Sequence, residues 1–281
     1  MFHRIRISSV AAIFVLALSV AGCSDKHAAQ IAQSVEFYNK GLTEADAGHW
    51  LEAAAAFTEA IRVDPKDADA HFKLAGAYQQ LKRYPEAVKE YEEAIRNNPS
   101  DGEANLNLGY LQSDLGKSSD AITPLKQAVI LLPDHAEPLD ELGLSYLKLK
   151  QFPEAIAAYQ QSIKLQPANA VARYRLGWSY NGVAQYAEAI ESFNEAVRIQ
   201  PNYVEAYSEQ GYSYRNLKRN EEAVASYERA IALDPKFAPA HHGLGLSYRA
   251  LGNADAAKEQ LVILSTLDPD WATKLDKALS N

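Results

Sequence analysis

From Ser34 onward the apolar positions of this chain recur with two periods at once. Over short stretches they stand three and four residues apart, as in Ala53, Phe57 and Ala60 or Ala189, Phe193 and Ala196, a spacing that gathers them on one face of a helix. Over longer stretches the same face returns every 34 residues. Pro65, Pro99, Pro133, Pro167, Pro201, Pro235 and Pro269 mark that period without an insertion or deletion. Twelve residues before each proline comes a small side chain, Ala53, Ala87, Ala121, Ala155, Ala189, Ala223 and Ala257. Eight before it comes a large one, Phe57, Tyr91, Leu125, Tyr159, Phe193, Tyr227 and Leu261.

An earlier column in each unit reads Gly41, Ala75, Gly109, Gly143, Gly177, Gly211 and Gly245. Glycine inside a helix costs about 1 kcal/mol relative to alanine, so its recurrence predicts a compensating close approach between helices. Leucines flank this column and tyrosines follow it by three, as in Leu176 and Tyr180. Each unit therefore predicts two amphipathic helices, A and B, joined by a short turn such as Leu81-Lys82-Arg83. The proline closes helix B because it lacks an amide donor and disfavours helix at the residue before it. Pro124 falls within helix B of the third unit, which predicts that Ala121 to Thr123 form the first turn there, where proline is tolerated.

The pattern resembles the tetratricopeptide repeat: small residues at repeat positions 8, 20 and 27, a large one at 24 and proline at 32. The resemblance implies an all-α fold, an α-solenoid of seven helix-turn-helix repeats winding into a right-handed superhelix. The units run 34–67, 68–101, 102–135, 136–169, 170–203, 204–237 and 238–269, and residues 270–281 read as a capping helix, with Trp271, Leu275 and Leu279 on one face. Lys40 and Glu44 make the first helix A polar, as suits an end repeat.

In the family, positions 2, 5, 6, 9, 12 and 13 tend to face a concave groove that clasps an extended segment or a helix. Carried onto this sequence, the first three units offer Tyr38, Leu42, Phe72, Lys73, Leu106, Asn107 and Tyr110. The fourth offers Glu137, Asp140, Glu141 and Leu144. The last three offer Tyr174, Arg175, Trp178, Asn181, Glu205, Tyr212, Arg215, His242 and Leu246. Trp178 and Tyr212, at position 9, are not demanded by the packing that explains positions 8 and 11, and Trp, Tyr and Arg are the usual anchors of protein interfaces. The acidic run of the fourth unit suits a basic partner segment as well as it suits a solvated face. The family's carboxylate clamp, with lysine at position 5 and asparagine at position 9, is absent, and its asparagine ladder at position 6 is met only by Asn39 and Asn107.

Charge and composition narrow the function. With 28 basic against 36 acidic side chains the net charge is −8, and the surface lacks the Lys/Arg stripe that nucleic-acid binding requires. His71 and His241 share repeat position 4 but lie five units apart, and adjacent His241 and His242 point to different sides of a helix, so no metal pair forms. Gly243-Leu244-Gly245 begins like a phosphate loop but sits inside a helical repeat and follows no strand. The repeats leave no room for a catalytic domain, so neither an enzyme nor a cofactor is expected.

Residues 1–22 read as an export signal: a basic stub with Arg4 and Arg6, the mostly apolar run Ile7 to Leu18, then small residues. Val20-Ala21-Gly22-Cys23 resembles the bacterial lipobox, which implies cleavage before Cys23, the single cysteine of the chain, and lipidation of its thiol. Cleavage would remove Arg4 and Arg6 and leave 26 basic against 36 acidic groups, a net of −10. Residues 23–33 would then be a short linker. Ser24, in place of aspartate, favours sorting to the outer membrane, facing the periplasm, in a Gram-negative cell. The expected function is a membrane-anchored scaffold that assembles protein partners of the cell envelope, with a glycan-binding or enzyme-regulatory subunit as the alternative.

Overall fold

The computed structural model describes residues 25–280, with side chains from Ala28 onward. Cys23 and the signal pattern ahead of it lie outside the described residues. Among those described are fifteen α-helices and no strand. The first unit, Met1–Leu132, contains α1 (Asp25–Asp46), α2 (Trp50–Val63), α3 (Ala68–Gln80), α4 (Tyr84–Asn97), α5 (Gly102–Asp114) and α6 (Ser118–Leu131). The second unit, Pro133–Asn281, contains α7 (Glu137–Lys148), α8 (Phe152–Leu165), α9 (Ala170–Gly182), α10 (Tyr186–Ile199) and α11 (Val204–Asn216). It continues with α12 (Asn220–Leu233), α13 (Ala238–Ala250), α14 (Ala254–Leu267) and α15 (Pro269–Ser280).

Within each unit every helix A packs on its own helix B, and that helix B packs on the following helix A. In the second unit α15 lies against both α13 and α14. The seat for this packing is the small residue at position 8. A Cβ added to Gly41 would stand 2.5 Å from the Phe57 ring, and one added to Gly177 would stand 2.7 Å from the Phe193 ring. The aromatic residue of helix B therefore rests on the backbone of helix A, and the close approach offsets the helix propensity lost to glycine. At Gly245 the visitor is Leu275 of α15, whose methyl carbon would meet the added Cβ at 2.7 Å. Leu275 is fully buried, so the last helix fills the seat that position 24 fills elsewhere.

The A-to-B turns share one backbone solution. Residue 15 of every repeat has a positive φ, at Gly48, Lys82, Gly116, Lys150, Ala184, Lys218 and Gly252. In the turn after α3, Lys82 N–H donates to Gln79 O at 3.0 Å and Arg83 N–H donates to Tyr78 O at 2.8 Å, the two bonds of a Schellman motif. After α9, Ala184 N–H donates to Asn181 O at 3.1 Å and Gln185 N–H to Tyr180 O at 2.9 Å. The carbonyls left over at the end of helix A are thus satisfied in the same way in each repeat.

At the B-to-A turns the residue before proline is extended, as at Asp64 (φ −126, ψ 92) and Gln200 (φ −125, ψ 88). Asp67, Asp101 and Asn169 then cap the next helix by accepting from the amides of Ala70, Ala104 and Ala172, each at 3.0 Å. His71 and His241 brace this corner in two repeats. Their Nε2 atoms lie 3.1 and 3.0 Å from the carbonyl oxygens of Pro65 and Pro235, and their Nδ1 atoms lie 2.7 Å from Glu90 Oε2 and 2.8 Å from Gln260 Oε1.

Two local expectations differ from the structure. Helix α6 begins at Ser118, so Pro124 is its seventh residue and lies inside the helix rather than just past a first turn. Pro124 is buried there, and packing holds the helix through the missing amide donor. Helix α1 begins at Asp25, so the stretch read as a linker is already helical ahead of the first repeat.

Candidate partner groove

The A-helix face of the second unit carries a cleft of about 320 Å³ lined by Phe152, Trp178, Asn181, Gly182, Glu209 and Tyr212. Helix α9 supplies Trp178, Asn181 and Gly182, α11 supplies Glu209 and Tyr212, and the first residue of α8 supplies Phe152. Phe152 enters because Gly182 has no side chain: a Cβ there would lie 2.5 Å from the ring. Trp178 and Tyr212 remain 42% and 38% exposed, unlike the rings buried between helices. Tyr212 meets Tyr186 edge-on at 6.3 Å, and the Arg215 guanidinium lies 5.7 Å from its ring centre.

Glu209 gives this cleft its charge. Asn181 Nδ2 donates to Glu209 Oε2 at 3.3 Å, and Ser213 Oγ lies 2.7 Å from Asn181 Oδ1, which orients the amide. Burial pushes the Glu209 carboxyl above the ordinary glutamate range, and the Asn181 hydrogen bond only partly opposes it.

Other expected groove residues are engaged in the fold. Position 5 is a packing position wherever it is aromatic: Tyr38 meets Phe57 at 5.8 Å, Phe72 meets Tyr91 at 5.7 Å and Tyr174 meets Phe193 at 5.9 Å. Tyr174 also stacks on Tyr203 at 4.9 Å, and burial raises the pKa of its phenol, as it does that of Tyr38. Asp140 accepts from Ser162 Oγ and, at 2.8 Å, from Asn169 Nδ2, so it ties α7 to α8 and to the cap of α9. Burial raises its carboxyl above the usual range against those bonds and the charge of Arg175. Glu141 and Arg175 are half-buried.

In the first unit, Lys73 is exposed with its ammonium 5.5 Å from the Phe72 ring, and Tyr110 is 44% exposed. Asn107 donates back to Glu103 O at 2.8 Å. In the second unit, His242 faces Trp271 of α15 at 4.9 Å. Burial, then the charges of Arg215 and Lys274, lower its pKa to about 4.

Phe152, Gly182 and Glu209 were not among the residues picked out from sequence. Glu209 occupies position 6 and Gly182 position 13, both in the groove frame, so their place in the repeat could have found them. Phe152 lies on a helix B, and nothing in the A-helix frame points to it. Gly243 and Gly245 are mid-helix seats for Tyr227 and Leu275. Among the described residues, no group of three His, Cys, Asp or Glu side chains could hold a metal ion, and no helix is long and apolar enough to cross a membrane.

Several solved structures share this fold. MamA is 27% identical over 60% of this chain and 92% of its own, with a TM-score of 0.58. YrrB, described as a repeat protein with an unusual peptide-binding site, is 22% identical over 67% of this chain and 97% of its own, with a TM-score of 0.62. The C-terminal part of a repeat protein from Cytophaga hutchinsonii is 18% identical over 85% of this chain and 98% of its own, with a TM-score of 0.70. Comparison with curated proteins gives no significant match. A family model described as tetratricopeptide repeat matches residues 38–101, 77–136 and 141–204, and a second, described as TPR repeat, matches 211–252. With its paired helices, glycine seats and matched repeats, the chain belongs to the tetratricopeptide repeat family.

Proposed function

We propose that this protein is a non-enzymatic scaffold that holds an extended protein segment against the A-helix face of the unit Pro133–Asn281, and that lipidated Cys23 tethers it to a membrane of the cell envelope. The observation that carries the first half is the exposure of Trp178 and Tyr212, two large rings on neighbouring helices A that flank one cleft. Rings at position 5 are taken up in packing, whereas these stand at the surface, and large exposed aromatics beside an arginine are the side chains that anchor protein interfaces. The second half rests on the residue pattern Val20-Ala21-Gly22-Cys23 behind an apolar run, with several acyl chains giving stable anchoring at about 0.8 kcal/mol per buried methylene. Partners built into the pilus, secretion, polysaccharide-export or peptidoglycan machinery fit a scaffold placed there.

A photo-crosslinking amino acid placed at 178 or 212 of the full chain, in cells, is expected to capture a discrete protein. The same group at Val262, which is 68% exposed on α14, serves as the control. Trp178→Ala with Tyr212→Ala, without the crosslinker, should weaken co-purification of the captured protein about tenfold or more, as loss of interface anchors does, while the melting curve is retained. Equal capture from Val262, or a collapsed melting transition in the double variant, defeats the groove assignment.

A further inference from the structure

We infer that the cleft between Trp178 and Tyr212 is a seat for a cationic side chain, a lysine or arginine presented by the partner segment, with Glu209 as its counter-ion. The inference rests on the reading of this face as a protein-binding surface and specifies the chemistry of one contact on it.

Three features of the cleft converge on a cation. Its walls are aromatic, with Phe152, Trp178 and Tyr212 among the six lining residues, and a ring face attracts a positive charge through its quadrupole. Its acidic group is Glu209, the one ionisable carboxyl of the lining, fixed by Asn181 at 3.3 Å. Glu209 takes its hydrogen bond from Asn181, a neutral amide, and burial outweighs that bond in setting its acidity.

A half-buried carboxylate is costly without a counter-charge, and the hydrogen bond that Asn181 gives it comes from a neutral amide. Other glutamates of the same unit have their cations at hand: Glu195 pairs with Arg198 at 2.9 Å and Glu222 with Arg219 at 2.8 Å. Arg215, on the same helix as Glu209, lies beside Tyr212 and is not part of the cleft lining. An incoming ammonium or guanidinium would complete the pair, and the elevated pKa that burial gives Glu209 would fall as it bound. A neutral or acidic side chain would leave that charge uncompensated, so the cleft discriminates by sign.

The test uses the full chain and two small probes, Nα-acetyl-lysine methylamide and its neutral Nε-acetylated analogue. The reporter is the indole N–H signal of Trp178, identified by its loss in Trp178→Phe. The cationic probe should shift that signal saturably, and the neutral probe should bind at least about tenfold more weakly, the scale of one charge-assisted hydrogen bond. Glu209→Gln should reduce the affinity for the cation by a similar factor and leave helical content unchanged. Tyr212→Leu, which keeps the apolar bulk, should weaken cation binding through loss of the ring and provides a second variant independent of Glu209. Equal binding of the two probes, no saturable shift with the cation, or full cation affinity in Glu209→Gln overturns the inference. If those results came with intact crosslinking from 178 and 212, the protein-binding face would stand and only its cation seat would be lost.

Discussion

Glu209 shows how one side chain can be bound to two tasks. Its carboxyl is raised by burial, so its charged form is disfavoured in the folded protein relative to the unfolded chain. The stabilising contribution of such a group is fully present below the unfolded glutamate pKa and is lost as pH rises through the higher folded value. Glu209→Gln keeps an oxygen for Asn181 and removes the charge. It should raise the melting temperature at pH 7, with the difference shrinking as pH falls through the raised folded value and gone below the ordinary glutamate range; an unchanged or lowered melting temperature at pH 7 would contradict the assigned cost. Asp140 also has a raised carboxyl, but three partners hold it in the fold, so its acidity is put to structural use. The two residues cannot be told apart in the sequence, where both are acidic groups in the groove frame. What separates them is the position of Ser162 and Asn169 around one and of an open cleft around the other.

The helix pair repeats its geometry where its sequence varies. All seven A-to-B turns carry the same positive-φ residue, yet three positions are glycine, three are lysine and one is Ala184. A non-glycine residue in that conformation costs about 1–2 kcal/mol, which the two Schellman bonds and the packing of the helix pair outweigh. Ala184→Gly should therefore raise stability by up to about 1 kcal/mol, less the extra entropy of a freer unfolded chain, and Gly116→Ala should lower it by a comparable amount. Neither site has packing to confuse the result: both are exposed, and nothing lies within 4 Å of an added Cβ at Gly116. Thermal melting of both variants measures the difference, and a fall in Ala184→Gly would show that unfolded-state entropy exceeds the relieved strain. The existence and order of these helices were legible from the spacing of three and four and the period of 34. The left-handed backbone of their turns was not, because four of the seven positions carry no glycine to announce it. Pro124 shows the same limit from the other side, since local preference placed it near a helix start and burial between helices kept it in the interior.

For the molecule as a whole, the proposed tether and the proposed recognition face lie in different parts of the chain: Cys23 near its start, and helices that begin more than a hundred residues later. Cys23→Ala should abolish labelling by a fatty-acid analogue and move the protein from the membrane fraction to the soluble one, with the same melting curve as the parent. Persistent membrane association would remove the lipid tether from the proposal while leaving the cleft untouched. The acidic balance of 28 basic to 36 acidic groups adds a long-range attraction for a basic partner, which weakens with salt.

Periodicity was enough to predict the helix pairs and the glycine seats, because each repeat must bury the same face against its neighbours and any sequence that does so carries the same columns. It could not establish which groove residues are free to bind. Tyr174 and Trp178 lie four residues apart on one helix, and both are large rings in the groove frame. Only packing separates them, since Phe193 and Tyr203 enclose the first while the second stands open beside Glu209. Exposure and the pairing of a charge depend on side chains brought in from other helices, and a column of one sequence does not record them.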